Sequence, residues 1–321
     1  PTSLLGKFDP VHLSLPPEVL ISVMKKHQRY FPVLSAEGKL LPYFIAVRNG
    51  DHHSLDVVTD GNEQVIKARF ADANFFIEED LKHKLEDLLE RLGTLTFQHK
   101  LGSMLDKSKR VKVVVAPLAD ELNLSTAEKE DALRAAQLCK ADLVSHIVVE
   151  MTSLQGVMGR YYAVHSGEKP AVAKAIYEHY LPRYTGDAVP SEKPGLAVGI
   201  ADRIDSLVGL FAAGLAPTGT KDPYAQRRTA LGLVQLLAAF NIDFDLRQWM
   251  SAAEKQLPIA MSDENRKACF DFIVGRLKNN LTDQGYRYDV VDAVLVEQQN
   301  NPAGVLRAVK ELSAWVARPD W

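Results

Sequence analysis

The chain has 321 residues, with 38 Lys and Arg against 41 Asp and Glu and a formal charge of −3. That balance excludes a global basic field and an acidic disordered tail, so any nucleic-acid surface is local. Two cysteines far apart, Cys139 and Cys269, exclude a disulfide scaffold and a four-cysteine zinc site, and there is neither a run of eighteen apolar residues nor a signal-peptide pattern.

The length is that of about two domains. A start at Pro1 and a stop at Trp321 after a helical pattern read as an excised fragment. The first residues to about 77 read as β-containing. Val19 to Leu34 and Leu40 to Val47 are apolar runs around the turn signal Ser35-Ala-Glu-Gly38, which suggests a hairpin; Pro16-Pro17-Glu18 is the alternative, the start of a short helix. Helical spacing begins near Asn62. Leu81, Leu85, Leu88, Leu89 and Leu92 put one apolar stripe on an expected helix from Asp80 to Leu95. Ser125-Thr-Ala-Glu128 has capping-box spacing and should start a helix reaching Thr152. Further helices are expected at 106–122, 168–180, 193–214, 223–240, 262–283, 287–298 and 301–317. Connections fall at Gly156-Val-Met-Gly159, Pro182 to Pro194 and Pro217 to Pro223. The fold class is α+β, mostly α-helical.

Common catalytic signatures are missing: no phosphate loop, no Gly-x-Gly-x-x-Gly, no Gly-x-Ser-x-Gly and no His-Glu-x-x-His. The nine histidines are scattered, and the adjacent His52 and His53 point apart. Lys107-Ser-Lys-Arg-Val111, Ala141-Asp142 and Ala201-Asp-Arg-Ile-Asp205 resemble, in order and spacing, the metal site of HD-type phosphohydrolases. That family uses a histidine, a His-Asp pair and a final aspartate to hold a water-activating metal. On this chain Lys107 and Ala141 stand where histidines belong, and only Asp142 and Asp202 remain. Two carboxylates and an ammonium should hold no catalytic metal. The plainer expectation is that Asp142 pairs with a basic neighbour such as Lys107, in an HD-like fold whose hydrolase is dead.

Ala216 to Arg228 combines Thr218, Gly219, Thr220 and Lys221 with a helix start at Asp222-Pro223 and the pair Arg227-Arg228. A helix N-terminus beside these cations can take an anion or a nucleic-acid phosphate; equally, Asp222 is an ordinary cap and the arginines pair with Asp202, Asp205 or Asp222. Leu154 to Ala163, with Arg160, Tyr161 and Tyr162, is a helix-to-helix corner or a base-stacking surface.

Met24-Lys-Lys-His-Gln-Arg-Tyr-Phe31, Gly61 to Ala73 with Phe75-Phe76, Phe97-Gln-His-Lys-Leu-Gly102, Leu154 to Ala163 and Pro217 to Arg228, in this order over residues 15 to 235, resemble the β subunit of bacterial-type heterotetrameric glycyl-tRNA synthetase. The tail from about 245 resembles it more weakly, and Gln226 and Thr220 depart from the usual leucine and serine. The resemblance implies a non-catalytic part of an enzyme: no cofactor, metal or catalytic residue in this chain, ATP and glycine bound by the α subunit, and an assembly of two α and two β. It also implies residues 1–77 as the end of an N-terminal β-containing region and 78–245 as a degenerate HD-like domain. Residues 246–321 become a helical linker or body segment ending before an anticodon-binding domain. Glycine tRNA is the implied partner, its acceptor arm held toward α. The candidate contacts are Lys100, Lys107, Lys109, Arg110, Arg160, Arg203, Lys221, Arg227 and Arg228, with Tyr161 or Tyr162 stacking. The implied location is the bacterial cytoplasm, or an organelle stroma for a fused enzyme, with no membrane contact. A structural module, docking Leu40 to Val47 or the helical tail onto α or another part of β, is the second reading. A residual phosphohydrolase is the third, and the ligand count argues against it.

Overall fold

The computed structural model describes residues 1–320; Trp321, where the sequence stops, lies outside the described residues. Among them are thirteen α-helices and five short strands, a mostly helical α+β fold. β1 (Thr2–Lys7), β2 (Phe31–Leu34) and β3 (Leu40–Arg48) form an antiparallel sheet in the order β1-β3-β2. The hairpin joining β2 to β3 turns at Ser35 to Gly38, where Gly38 adopts φ +79°.

The stretch from Val19, expected as strand, is instead α1 (Pro17–Gln28). Pro17 presets the first turn, Val19, Leu20, Val23 and Met24 line one buried stripe, and Arg29 closes the helix in the left-handed region. The alternative that begins a helix at Pro16-Pro17 is the correct one. α2 (Leu55–Asp80) buries Ile66, Phe70, Ala73 and Ile77, and the inner face of the sheet, with Leu4, Phe44 and Ala46, packs here.

No helix runs from Asp80 to Leu95. Two short 3-10 turns, Leu85–Leu88 and Glu90–Thr94, replace it and still bury Leu85, Leu88 and Leu92. The Leu85 amide donates to Ser166 Oγ at 2.8 Å and the Lys84 amide to Asp87 Oδ2 at 2.9 Å, which diverts the first amides from a helical ladder. A small hairpin of β4 (Thr96–Gln98) and β5 (Gly102–Ser103) leads into α3 (Met104–Glu121).

α4 (Thr126–Leu138) has the capping box expected of Ser125 and Glu128 but stops well short of Thr152. A 3-10 turn over Ala141–Val144 and a short α5 (His146–Glu150) follow, because Lys140 and Asp142 turn into the interior. Asp80, at the end of α2, caps α5: its carboxylate accepts the amides of His146 and Ile147 at 2.8 and 3.1 Å. The expected connection at Gly156 is one residue of turn followed by α6 (Val157–His165). Then come α7 (Pro170–Glu178), α8 (Lys193–Ala212) and α9 (Gln226–Ala239).

α8 is buried almost all round from Pro194 to Phe211, as its unbroken apolar and glycine-rich sequence requires. It packs against α3, α4, α7 and α9. α10 (Leu246–Glu254), which periodicity did not reveal, is capped by Asp245. α11 (Asp263–Asp283), α12 (Tyr288–Gln298) and α13 (Pro302–Val316) fall close to the expected ranges. α10 and α11 pack on α8 and α13 packs on α9, so buried apolar side chains from Leu4 to Val309 form one connected core. No helix among the described residues is long and apolar enough to cross a membrane.

Candidate functional site

The polar residues of α8 face a set of charges made by Lys107, Arg110 and Lys140. Lys107, from α3, donates from Nζ to Asp205 Oδ2 at 3.0 Å, to Ser206 Oγ at 2.8 Å and to the Asp202 carbonyl at 3.1 Å. Its distance to Asp202 Oδ1 is also 3.0 Å, an ion pair whose angle falls outside hydrogen bonding. Arg110, one turn along, holds Asp205 with two nitrogens at 2.7 and 3.2 Å and donates to the Leu101 carbonyl at 2.9 Å. Lys140 approaches from the opposite side, 3.1 Å from Asp202 Oδ2, 2.9 Å from His179 Nε2 and 4.2 Å from the centre of the Tyr180 ring. Two carboxylates thus share three buried cations, with Asp205 fully enclosed and Asp202 15% exposed at the edge of the set.

The electrostatics follow from that sharing. Burial alone pushes an ammonium down, but Asp202 and Asp205 outweigh it and hold Lys107 above its ordinary value. Burial likewise raises a carboxyl, yet Lys107 and Lys140 hold Asp202 well below the usual carboxylate range. His179 is pushed far down by burial and by Lys140. It is therefore neutral, donating from Nδ1 to the Ile176 carbonyl at 2.6 Å and accepting at Nε2 from Lys140, whose ammonium has no lone pair to offer.

Asp142 does not pair with Lys107, contrary to expectation. Its Oδ2 accepts the amides of Gly156 and Gly159 at 2.6 and 3.0 Å, the N-terminus of α6, while Oδ1 has no partner. Gly156 sits at φ +76°, and a Cβ there would lie 2.5 Å from the Tyr180 ring, so only glycine brings this amide to the carboxylate. Burial raises the Asp142 carboxyl to about 6, against the lowering effect of the two amides. A folded value above the ordinary 3.8 means that Asp142 contributes most stability below pH 3.8 and loses it as pH climbs to about 6. Asp142→Asn keeps an acceptor and removes the titration. Relative to the parent, the variant should therefore gain on the order of 2–3 kcal/mol between pH 4 and pH 7. Denaturant midpoints at four pH values check this; a difference between the two proteins that stays constant with pH contradicts it.

These residues do not fit a catalytic divalent metal. Asp202 is engaged by two ammonium groups and Asp205 by an ammonium and a guanidinium, so a cation entering here would meet three positive charges already in place, and Asp142, held by two amides, is left as a single carboxylate. Among the described residues no three of His, Cys, Asp or Glu are placed to share an ion.

Several candidate RNA contacts have other work. Lys107 and Arg110 are buried in the cluster. Arg203 is buried as well, its guanidinium donating to the carbonyls of His179, Gly199, Tyr180, Leu181 and Pro182 at 2.8 to 3.2 Å. Gly199 and Gly232 leave the slot for it, since a Cβ at Gly232 would lie 2.8 Å from Arg203 Nε. The donors of these three cations are already engaged, Lys107 and Arg110 on carboxylates and Arg203 on backbone carbonyls. Arg160 and Tyr161 both reach Glu18, at 2.8 and 3.1 Å, tying α6 to α1. Tyr162 is buried with its hydroxyl donating to Asp80 Oδ2 at 2.8 Å, so its ring is not a stacking surface.

The N-terminus of α9, expected to receive an anion, already has one. Asp222 accepts the amides of Gln226 and Arg227 at 2.8 and 2.9 Å, while Gln226 is buried and donates to the Leu215 carbonyl at 2.7 Å. The cations that remain at the surface are Lys100, Lys109, Lys221 and Arg228, with Arg227 partly exposed. Three of them bracket one loop: Lys100 Nζ is 3.3 Å from the Ala213 carbonyl, Lys221 pairs with Thr218, and Arg227 donates to the Gly219 carbonyl at 2.7 Å. Arg228 and Arg183 line a cleft of about 460 Å³ whose wall includes Asp202, His179, Tyr180 and Thr229. Sequence reasoning missed Lys140, His179 and Arg183. Lys140 lies two residues before Asp142, the only local signal for it, whereas His179 and Arg183 are brought in by tertiary packing.

A profile described as glycyl-tRNA synthetase beta subunit matches residues 1–296. The chain is 44% identical to the glycine–tRNA ligase beta subunit of Halalkalibacterium halodurans, covering all of this chain and 47% of that protein. It is 46% identical to that of Clostridioides difficile, over 100% and 46%, and 45% identical to that of Desulforamulus reducens, over 99% and 47%. The chain spans about half the length of the curated relatives it matches. Since the profile covers nine-tenths of the chain and the identity runs from end to end, the chain belongs to the glycyl-tRNA synthetase beta subunit family.

Proposed function

We propose that this chain is a non-catalytic, tRNA-holding part of a glycyl-tRNA synthetase: a degenerate HD-like scaffold that positions the acceptor arm of glycine tRNA for glycylation by an α subunit. ATP and glycine bind that partner in this reading, in an assembly of two α and two β in the bacterial cytoplasm or an organelle stroma, and no cofactor binds here. The observation that carries it is the group of cations at one loop, Lys100, Lys221 and Arg227, the last also 3.8 Å from Asp222, next to Arg228 in the wall of the cleft that Asp202 borders. Exposed cations along a loop contact a phosphate backbone without reading bases. Cations turned inward at the vestigial site stiffen the helices beneath that loop. Lys109 is a further exposed candidate, and Arg160 and Tyr161, held by Glu18, are peripheral to the group.

The test uses Lys100→Ala, Lys221→Ala and Arg228→Ala together in a full-length β subunit assembled with α. The KM for tRNA in aminoacylation should rise on the order of 100-fold, about 1 kcal/mol for each of three phosphate contacts. Glycine activation, followed by ATP–pyrophosphate exchange, should be unchanged. An unchanged KM sinks the surface, and lost exchange activity sinks the division of labour.

A further inference from the structure

The three-stranded sheet has a second apolar face. Its inner face carries Leu4, Phe44 and Ala46 into the core, as alternation along a half-buried strand requires. The outer face should then be polar, and it is not. Leu5 pairs with Ile45, and Ile45 pairs with Phe31, so one apolar row crosses all three strands. Val47 and Tyr43 extend the row along β3, opposite Ser3 and Lys7. The exposures are large: 64% for Leu5, 56% for Phe31, 57% for Val47, 41% for Tyr43 and 37% for Ile45. Among the described residues, Lys7 is the one charged residue paired along this face.

An antiparallel sheet that meets water on one face alternates apolar with polar residues, and a strand apolar on both sides belongs between two layers. Five large apolar side chains side by side also exceed the scattered exposure normal on a monomer. Transient protein partners meet surfaces of mixed polarity, whereas a face this poor in charge belongs to a permanent contact. The relatives supply a source for the missing layer: this chain matches 47% of the Halalkalibacterium halodurans subunit, leaving about half of a subunit of that length to pack elsewhere.

We infer that the outer face of this sheet is an interior surface of the full β subunit, covered by an apolar layer from the half of the subunit outside these 321 residues. The occupant is in cis, not the α subunit and not a second copy. The inference is independent of RNA binding.

Thiol labelling separates the possibilities, because the chain's own cysteines are buried and unreactive, with the Cys139 thiol pushed up to about 12 by burial. Val47→Cys, or Tyr43→Cys where the first variant folds poorly, is introduced into the full-length β subunit and into the 321-residue chain. Labelling by a maleimide is followed at that position by mass spectrometry. The short chain should label rapidly at all protein concentrations. The full subunit alone should label at least tenfold more slowly, with no further change on adding α or tRNA. Three results overturn the inference: rapid labelling of the full subunit, protection that appears only with α, or protection of the short chain that grows with its concentration.

Discussion

Lys107→Met is expected to cost about 3–5 kcal/mol of folding stability, the range for removing one partner of a buried ion pair. Among the described residues, Lys107 is the one cation that touches both Asp202 and Asp205. Methionine fills the volume of the alkyl stem but leaves Asp205 with Arg110 alone and Asp202 with Lys140 alone. Both carboxylates are then under-compensated in a medium where an unpaired charge is costly. Replacing Asp202 by asparagine in the same chain should restore at least about 1 kcal/mol relative to the sum of the single changes, since it removes one of the stranded charges. Urea denaturation of the two single variants and the double variant measures the cycle. A loss under 1 kcal/mol for Lys107→Met contradicts the ion-pair role.

The second large effect is expected at Arg203. Five backbone carbonyls, four of them in the consecutive run from His179 to Pro182, converge on its guanidinium with no carboxylate among them. Burial lowers this arginine to about 10. A buried cation tolerated at that cost is retained for what it binds, which here is the exit of α7. Arg203→Leu should destabilise by about 3–5 kcal/mol, because the carbonyls of His179, Tyr180, Leu181 and Pro182 lose a shared buried donor. Arg203→Lys should recover less than half of that, since three donors on a point charge cannot span five acceptors around a planar fork. Denaturation midpoints decide it: full rescue by lysine would mean that the charge matters and the fork does not.

Much of the fold can be read locally. The Ser125 to Glu128 capping box places α4, and the helices from 262 onward fall within a few residues of their periodicity. Leucines at three- and four-residue spacing between 81 and 92 correctly announce burial but cannot distinguish one helix from two 3-10 turns, because both carry an apolar stripe. β1 went unseen since Thr-Ser-Leu-Leu-Gly-Lys has little strand character of its own; its pairing of Thr2 with Arg48 is a long-range contact. α4 ends early for a tertiary reason, the inward turn of Lys140 and Asp142.

The candidate site divides the same way. The resemblance to HD-type phosphohydrolases implies that Lys107, Asp142 and Asp202 lie in one region, and the structure does pair Lys107 with Asp202. The resemblance does not reveal that Asp142 is spoken for by α6, or that Arg203 turns to backbone, because those choices depend on Gly156, Gly199 and Gly232 making room. Composition likewise cannot separate a surface lysine from a buried one. Lys107 and Lys109 are two residues apart on α3, and a helix puts them on different faces.

The binding of glycine tRNA to the assembled enzyme as a function of salt tests the proposed role most directly. Each phosphate contact contributes about 0.7–0.9 to the slope of log affinity against log salt. The Lys100, Lys221 and Arg228 triple alanine variant should therefore show weaker binding and a slope shallower by about 2 to 3. Equal slopes for the parent and the variant would mean that the RNA passes elsewhere and that the loop beside the buried charge cluster does not hold it.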